Sequence, residues 1–321
     1  MTTARDGRVS SLREELVLLT HSDPSALARE VQGCLGEPVR WCRLDAPGAA
    51  EATIWFSAGP MPEAALRLPR LRWIHTGWAG VETWFQRAEW SAEVALTRTV
   101  GDYPARMAEY VLGYLLARTL DVPEALRQMA GRGWRRWTPG TLAGTRLLVA
   151  GMGAIGRGIA DVGRALGMEV EGLRSRAPFD DERARGLLGP DDLEAALARA
   201  KVIVNLLPLT PETRGFWTAG RFARLGEGVT FINVSRGHTV EEKALRDGLK
   251  RGRPSFAILD VFQEEPLPPD HPFRRDPRIW VTPHIAGIGT VPMMAREFVG
   301  NLRRYRAGEP LEHVVDRARG Y

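Results

Sequence analysis

The chain has 321 residues, about two domains at roughly 150 residues each, and is long enough to bury cores without disulfide or metal staples. With 44% hydrophobic and 26% charged residues, and 34 Gly and 22 Pro dispersed without a repeat, it is neither collagen-like nor disordered. The net charge of +5 admits anionic partners, but no helix-turn-helix or RNA-binding signature accompanies it, and a nucleic-acid partner is not expected.

Over the first hundred residues, short apolar strands alternate with helical or turn-rich stretches. Strands are predicted at 15–20, 38–42, 52–57, 71–76 and 94–99, the pattern of a parallel α/β sheet. The opening MTTARDGRVSSLREEL lacks the apolar core of a secretory signal, so no export is implied. Cys34 and Cys42 lack the spacing of a zinc site or a disulfide framework, and a reducing, cytoplasmic location is expected. After Thr76 the small residues of WAGVE make a turn at a strand end, the edge of an open sheet where ligands bind.

The most apolar helical run, Met107 to Leu120, contains Glu109 and Arg118 and falls short of the ~20 residues that span a bilayer. It reads as a buried helix, and no membrane partner is expected. GRGWRRWTPGTLAGTR (131–146), without regular periodicity, reads as a connector or an arm. A second α/β series follows, with strands at 146–150, 202–208, 229–235, 255–262 and 279–284. Thr239 and Glu242 have capping-box spacing and announce a helix reaching Gly252. Met294, Phe298, Leu302 and Tyr305 mark a last amphipathic helix ended by Gly308. The economical arrangement returns this tail to the first domain. A substrate domain of residues 1–104 and 287–321 then receives a cofactor domain of residues 105–286 as an insertion, with a cleft between them.

Directly after the strand RLLVA stands Gly151-Met152-Gly153-Ala154-Ile155-Gly156. Ile155, Ile159, Val162 and Leu166 then recur at helical spacing, Gly167 closes the helix and the strand MEVEGL follows, the context a Rossmann fingerprint requires. Gly151 permits the tight turn, Gly153 lets a pyrophosphate approach the backbone, and Gly156 lets helix and strand pack closely. Where an acidic residue would bind the ribose of NAD stand Arg174, Ser175 and Arg176. Two guanidiniums suit a 2′-phosphate, so NADP(H) is the expected cofactor, with NAD(H) possible.

Three later segments bring polar groups to strand ends: Asn233-Val234-Ser235-Arg236-Gly237, Asp260 to Pro266, and Thr282-Pro283-His284. With a nicotinamide they form a set for reducing a 2-oxo acid: a cation for the carboxylate, a histidine to carry the proton, and Glu265 to tune it.

These residues resemble the D-isomer-specific 2-hydroxyacid dehydrogenase family over nearly the whole chain. GMGAIG, LLPLTPETRG, NVSRG, DVFQEEPLP and TPHIA are similar to its successive signatures in their usual order. The resemblance implies an α/β fold of two doubly wound parallel-sheet domains, a Rossmann cofactor domain inserted into a flavodoxin-like substrate domain. It implies that Arg236 orients the 2-oxo acid, that His284 exchanges the proton and that Glu265 pairs with His284. Asp260 is then expected near the nicotinamide carboxamide, Val234 beside the ring, and Leu207, Pro208 and Thr213 along the cofactor. In Gly77–Val81, Trp78, Ala79 and Gly80 are expected to hold the substrate together with Arg236 and His284. Glu82 stands where the family carries Asp.

The VVDRARGY tail, LLPLTPETRG and Arg174–Arg176 are most similar to the glyoxylate/hydroxypyruvate reductases of that family. This implies an NADPH-preferring reductase of small 2-oxo acids to D-2-hydroxy acids, working as a homodimer. A bulkier 2-oxo acid, or a dinucleotide-sensing scaffold without turnover, remains as another reading. Trp134 and Trp137 suit either a dimer arm or hinge packing. The remaining histidines have no metal-ligand spacing, and no metal is expected.

Overall fold

The computed structural model describes residues 15–59, 61–85, 91–174 and 187–320. The chain divides into two compact units, Met1–Gly101 with Gly289–Tyr321, and Asp102–Ile288.

The first unit begins β1 (Leu16–His21), α1 (Pro24–Leu35), β2 (Arg40–Cys42), β3 (Ile54–Ala58), α2 (Glu63–Leu66), β4 (Trp73–Thr76), α3 (Glu82–Phe85) and β5 (Ala95–Arg98). Its strands pair in parallel in the order β2-β1-β3-β4-β5, the flavodoxin-like arrangement. Local sequence accounts for the elements. In α1, Asp23 accepts from the Ala26 amide at 2.9 Å, Pro24 opens the first turn and Gly36 ends the helix at φ +83°. Strand periodicity sends Trp55, Ile74 and Leu96 into one core, and Val17, Phe56 and Trp73 into the other.

The second unit holds α4 (Tyr103–Thr119), α5 (Val122–Ala130), β6 (Arg146–Ala150), α6 (Ala154–Ala165), β7 (Glu169–Leu173), β8 (Leu187–Leu188), α7 (Leu193–Arg199), β9 (Val202–Asn205), α8 (Ala219–Ala223), β10 (Thr230–Asn233), α9 (Glu242–Lys250), β11 (Phe256–Leu259) and β12 (Ile279–Val281). Seven parallel strands run β12-β11-β10-β9-β6-β7-β8. Counted from β6, this is the doubly wound 3-2-1-4-5-6 order with one further strand, and its switch point lies between β6 and β9. There, α6 crosses α4 closely: a Cβ on Gly158 would stand 2.9 Å from the Pro104 carbonyl oxygen. The chain then returns to the first unit as α10 (Val291–Ala307), ended by Gly308 at φ +68°. Phe298 of α10 stacks on Phe56 with centroids 4.3 Å apart and on Trp73 at 5.3 Å.

The fold class is the expected one, but two local expectations are corrected and one strand was not foreseen. The strands read at 202–208, 229–235 and 255–262 end at Asn205, Asn233 and Leu259, because the chain leaves the sheet there to build loops. The two-residue edge strand β8 was too short to show a period. The Thr239–Glu242 capping box does not form: α9 starts at Glu242 without a side-chain cap. Thr239 is fully buried in a 3₁₀ turn, where its hydroxyl donates to the Arg236 carbonyl at 2.7 Å and accepts from Asn205 Nδ2 at 2.8 Å. Satisfying a buried amide outweighs capping an exposed helix end. Among the described residues no helix is long and apolar enough to cross a membrane.

One buried polar cluster gives the first unit a pH dependence. His75 is fully buried, with Nδ1 2.8 Å from Thr97 Oγ1 and Nε2 3.3 Å from Thr99 Oγ1. Burial, reinforced by the charge of His313, pushes its pKa from 6.5 down to about 3. Between those values the unfolded chain binds a proton that the folded chain refuses, so this contribution is present above pH 6.5 and is lost as pH falls toward 3. Urea unfolding followed from pH 7 to pH 4 is expected to show a fall in stability that is shallower in His75→Gln.

Candidate active site

The turn between β6 and α6 has the geometry its glycines foreshadow. Gly151 sits at φ +112°, and a Cβ there would lie 2.8 Å from the Leu206 backbone. At Gly156 a Cβ would lie 2.3 Å from the Gly151 carbonyl oxygen, so only glycine lets the helix start this close to the strand. A Cβ on Gly153 would meet nothing within 4 Å, which leaves the backbone open to a ligand. The first amides of α6, from Gly153 through Ala154, Ile155 and Gly156, have no acceptor within the helix, and Gly153 supplies no side-chain cap. Amides without an intrahelical acceptor and the positive end of a twelve-residue helix beside an open glycine fit a pyrophosphate. A cavity of about 250 Å³ lined by Pro104, Ala154, Arg157, Gly158 and Asp161 opens beside this turn. It adds Arg157, a cation that directly follows the glycine motif, to the groups near the anion site.

At the end of β7, Arg174 is exposed and its amide donates to the Leu188 carbonyl at 3.2 Å. Ser175 and Arg176 lie outside the described residues. Beyond β9, Leu207, Pro208 and Thr213 form a half-buried loop in which the Thr213 hydroxyl donates to the Pro208 carbonyl and accepts from the Thr210 amide at 2.8 Å. Ser235 Oγ donates to the Leu207 carbonyl, tying this loop to the end of β10. The side chain of Val234 is buried, and its amide donates to Asn205 O at 3.3 Å.

Under Arg236 lies a network that the sequence reading missed. Asn205 Nδ2 donates to Asn233 Oδ1 at 2.9 Å as well as to Thr239, and Asn233 Oδ1 accepts from the Ser235 amide at 3.2 Å. Two adjacent strands that both end in asparagine, VIVN and TFIN, were the available signal. The network fixes the backbone on either side of Arg236, whose Nη1 donates to the Ser235 carbonyl at 2.7 Å. A Cβ on Gly237 would lie 1.9 Å from the Phe262 carbonyl carbon, so glycine alone allows this turn to press against the loop that carries Glu265.

That loop and the segment after β12 bring Glu265 and His284 together. His284 Nδ1 lies 2.7 Å from Glu265 Oε2, and Glu265 Oε1 accepts from the Phe262 amide at 2.9 Å. The bond to Glu265 raises the His284 pKa above 6.5 against the opposing effects of burial and Arg236, while the nearby Asp260 charge adds to the rise. Burial works against the Glu265 charge, yet the bonds from His284 and Phe262 hold its carboxyl below the usual carboxylate range. Arg236, His284 and Glu265 therefore form one electrostatic group. The imidazole is about half exposed, open to a ligand.

His284 has φ +55°, a left-handed conformation that costs a non-glycine residue about 1–2 kcal/mol. Asp260, only 1% exposed, compensates. Its carbonyl accepts from the His284 amide at 3.0 Å, and its carboxylate accepts from Thr282 Oγ1 at 2.6 Å and from the Ile285 and Ala286 amides at 2.8 Å each. Burial pushes the Asp260 pKa up, and these three donors counter it. They take three of the about four acceptor positions of a carboxylate.

In the first unit, the Gly77–Val81 turn leaves β4 with Trp78 41% exposed, and Arg98 Nη1 donates to the Ala79 carbonyl at 3.2 Å. Gly77 is confined by the Ala58 side chain, 2.7 Å from where a Cβ would lie. In the 131–145 connector Trp134 is 95% exposed, while Trp137 Nε1 reaches the Leu120 carbonyl at 3.4 Å. Among the described residues no group of three or more His, Cys, Asp or Glu could hold a metal.

Residues 112–286 match the family described as D-isomer specific 2-hydroxyacid dehydrogenase, NAD binding domain. The chain is 34% identical over 289 residues to a glyoxylate/hydroxypyruvate reductase A of Photorhabdus laumondii, covering 88% of this chain and 91% of that one. It is similar in structure to a D-isomer specific 2-hydroxyacid dehydrogenase of Xanthobacter autotrophicus in complex with NADPH and MES. That likeness has a TM-score of 0.85 and 33% identity, over 96% of this chain and 99% of that one. An NADPH-dependent glyoxylate/hydroxypyruvate reductase of Sinorhizobium meliloti in complex with NADP and sulfate gives a TM-score of 0.84 and 27% identity, over 96% and 100%. The chain belongs to the D-isomer specific 2-hydroxyacid dehydrogenase family, and its second unit carries that family's NAD-binding domain.

Proposed function

We propose that this NAD(P)-dependent oxidoreductase is an NADPH-preferring reductase of small 2-oxo acids, glyoxylate and hydroxypyruvate among them, yielding D-2-hydroxy acids. The observation that carries the reading is the 2.7 Å bond between His284 and Glu265 beside the charge of Arg236. Gly151, Gly153, Ala154, Ile155 and Gly156 would hold the pyrophosphate. Leu207, Pro208, Thr213 and the Val234 backbone would line the rest of the cofactor, and the remaining acceptor position of Asp260 would take a carboxamide proton. When bound, the reduced nicotinamide supplies the hydride.

The chain's own residues do the remaining work. Arg236 would engage the substrate carboxylate through charge-assisted hydrogen bonds, and Trp78, Ala79 and Gly80 keep the substrate-binding role the family resemblance gives them. Because Nδ1 of His284 is committed to Glu265, Nε2 presents the proton to the carbonyl oxygen as it gains charge. Glu265 stabilises the imidazolium before transfer, which favours the loaded acid. Arg174, with Arg176, would bind the 2′-phosphate; NADPH and NADP in the Xanthobacter and Sinorhizobium structures support that coenzyme. Assembly as a homodimer is supported by apolar side chains exposed in and after α5, with Leu126 58%, Met129 75% and Trp134 95% accessible.

Three measurements test the reading. NADPH oxidation is expected with glyoxylate and hydroxypyruvate but not with a neutral aldehyde; turnover of none would favour a dinucleotide-sensing scaffold. Since the acid form of His284 is required, kcat/KM for reduction should fall as pH rises through its raised pKa. In Glu265→Gln that fall should move to lower pH, and an unmoved profile would contradict the pairing. Replacing Arg174 and Arg176 together by Ala should lower the NADPH-to-NADH ratio of kcat/KM by about tenfold or more, the loss of one to two charge-assisted hydrogen bonds.

A further inference from the structure

The mechanism leaves unused a tyrosine that reaches the loop carrying the proton donor. Tyr110 lies on α4, 172 residues before Thr282, and its phenolic oxygen is 2.5 Å from Thr282 Oγ1. Thr282 has one hydroxyl proton, and it goes to Asp260 Oδ1 at 2.6 Å. Tyr110 is therefore the donor, and the bonds run in one direction, from phenol to threonine hydroxyl to carboxylate. Burial pushes the Tyr110 phenol well above its ordinary pKa, so it remains a donor at any working pH. At the far end, Asp260 receives the Ile285 and Ala286 amides, the two that follow His284, while its carbonyl receives the His284 amide.

We propose that Tyr110 is a positioning residue for His284, acting through Thr282 and Asp260 to hold the left-handed turn that aims the imidazole at the substrate. The phenol orients the threonine hydroxyl, and that hydroxyl, with two amides, fixes the carboxylate. The fixed carboxylate then keeps His284 at φ +55° and in register with Glu265. The charged groups that act on the imidazole are Glu265, Arg236 and Asp260, and only Asp260 is joined to Tyr110 through this chain. Helix α4 thereby acquires a part in proton transfer beyond packing against α6. The inference rests on the reading of His284 as the proton donor.

The test compares Tyr110→Phe, Thr282→Val, Thr282→Ser and the double variant with the full-length protein, following NADPH oxidation by glyoxylate. Tyr110→Phe keeps the ring and removes only the hydroxyl. It should lower kcat about fivefold, the worth of one hydrogen bond, while the NADPH Kd from fluorescence quenching stays within about twofold. The pH midpoint of kcat/KM should move toward 6.5, because a loosened loop weakens the His284–Glu265 bond. Thr282→Val should lose at least as much, Thr282→Ser should recover most of it, and the double variant should be no worse than Thr282→Val alone. A Tyr110→Phe enzyme with the parent's kcat and pH midpoint would overturn the proposal. So would a loss of kcat accompanied by an equal loss of NADPH affinity, or one that leaves the midpoint unmoved. His284→Gln separates the two levels. If it turns over normally, the reading of His284 fails; if it is inactive while Tyr110→Phe is unaffected, only the role of Tyr110 fails.

Discussion

The turn that carries His284 is held by one buried carboxylate. Asp260 follows the last residue of β11, where a parallel sheet ends and its loops begin. It gathers a hydroxyl and two amides onto its side chain and a third amide onto its carbonyl. Those bonds offset the strain of a histidine in the left-handed region. The His284 amide also lies 3.1 Å from the Thr282 carbonyl, so a local turn bond and the Asp260 contacts together accompany φ +55° at His284. Glu265 can tune an imidazole only when the imidazole is held within hydrogen-bond distance of it, so placement comes before electrostatics.

The electrostatics are a balance of opposing charges. A cation disfavours a second cation nearby, and Arg236 does oppose protonation of His284. The 2.7 Å bond to Glu265 outweighs that opposition. Gly237 makes the compromise possible by letting the arginine turn lie against the backbone of the glutamate loop, a separation that no side chain would allow. The same logic governs the β6–α6 turn, where Gly156 lies against the Gly151 carbonyl and Gly153 faces open space.

What could be read from the sequence was whatever is local or periodic. Strand alternation marked both parallel sheets, and the glycine spacing marked the tight β6–α6 turn at the switch point of the second. The order of Arg236, Glu265 and His284 suggested a pairing whose latter two members are found 2.7 Å apart. Contacts distant in sequence were hidden. Asn205 meets Asn233 across 28 positions and Thr239 across 34, so Thr239 looked like a helix cap when judged by its neighbours alone. Tyr110 looked like one more residue of a buried helix, because its partner lies 172 positions further on. Arg174 and Arg176 were read from composition at a strand end, and only Arg174 falls among the described residues.

In the proposed mechanism Glu265 favours the protonated form of His284, and the imidazole itself reports it. NMR titration of the ¹⁵N-labelled protein, with the His284 resonances assigned by their loss in His284→Gln, measures the ionisation directly. A midpoint above 6.5 is expected in the parent protein, dropping when Glu265 is replaced by Gln. A midpoint at or below 6.5 that is indifferent to the loss of Glu265 would contradict it.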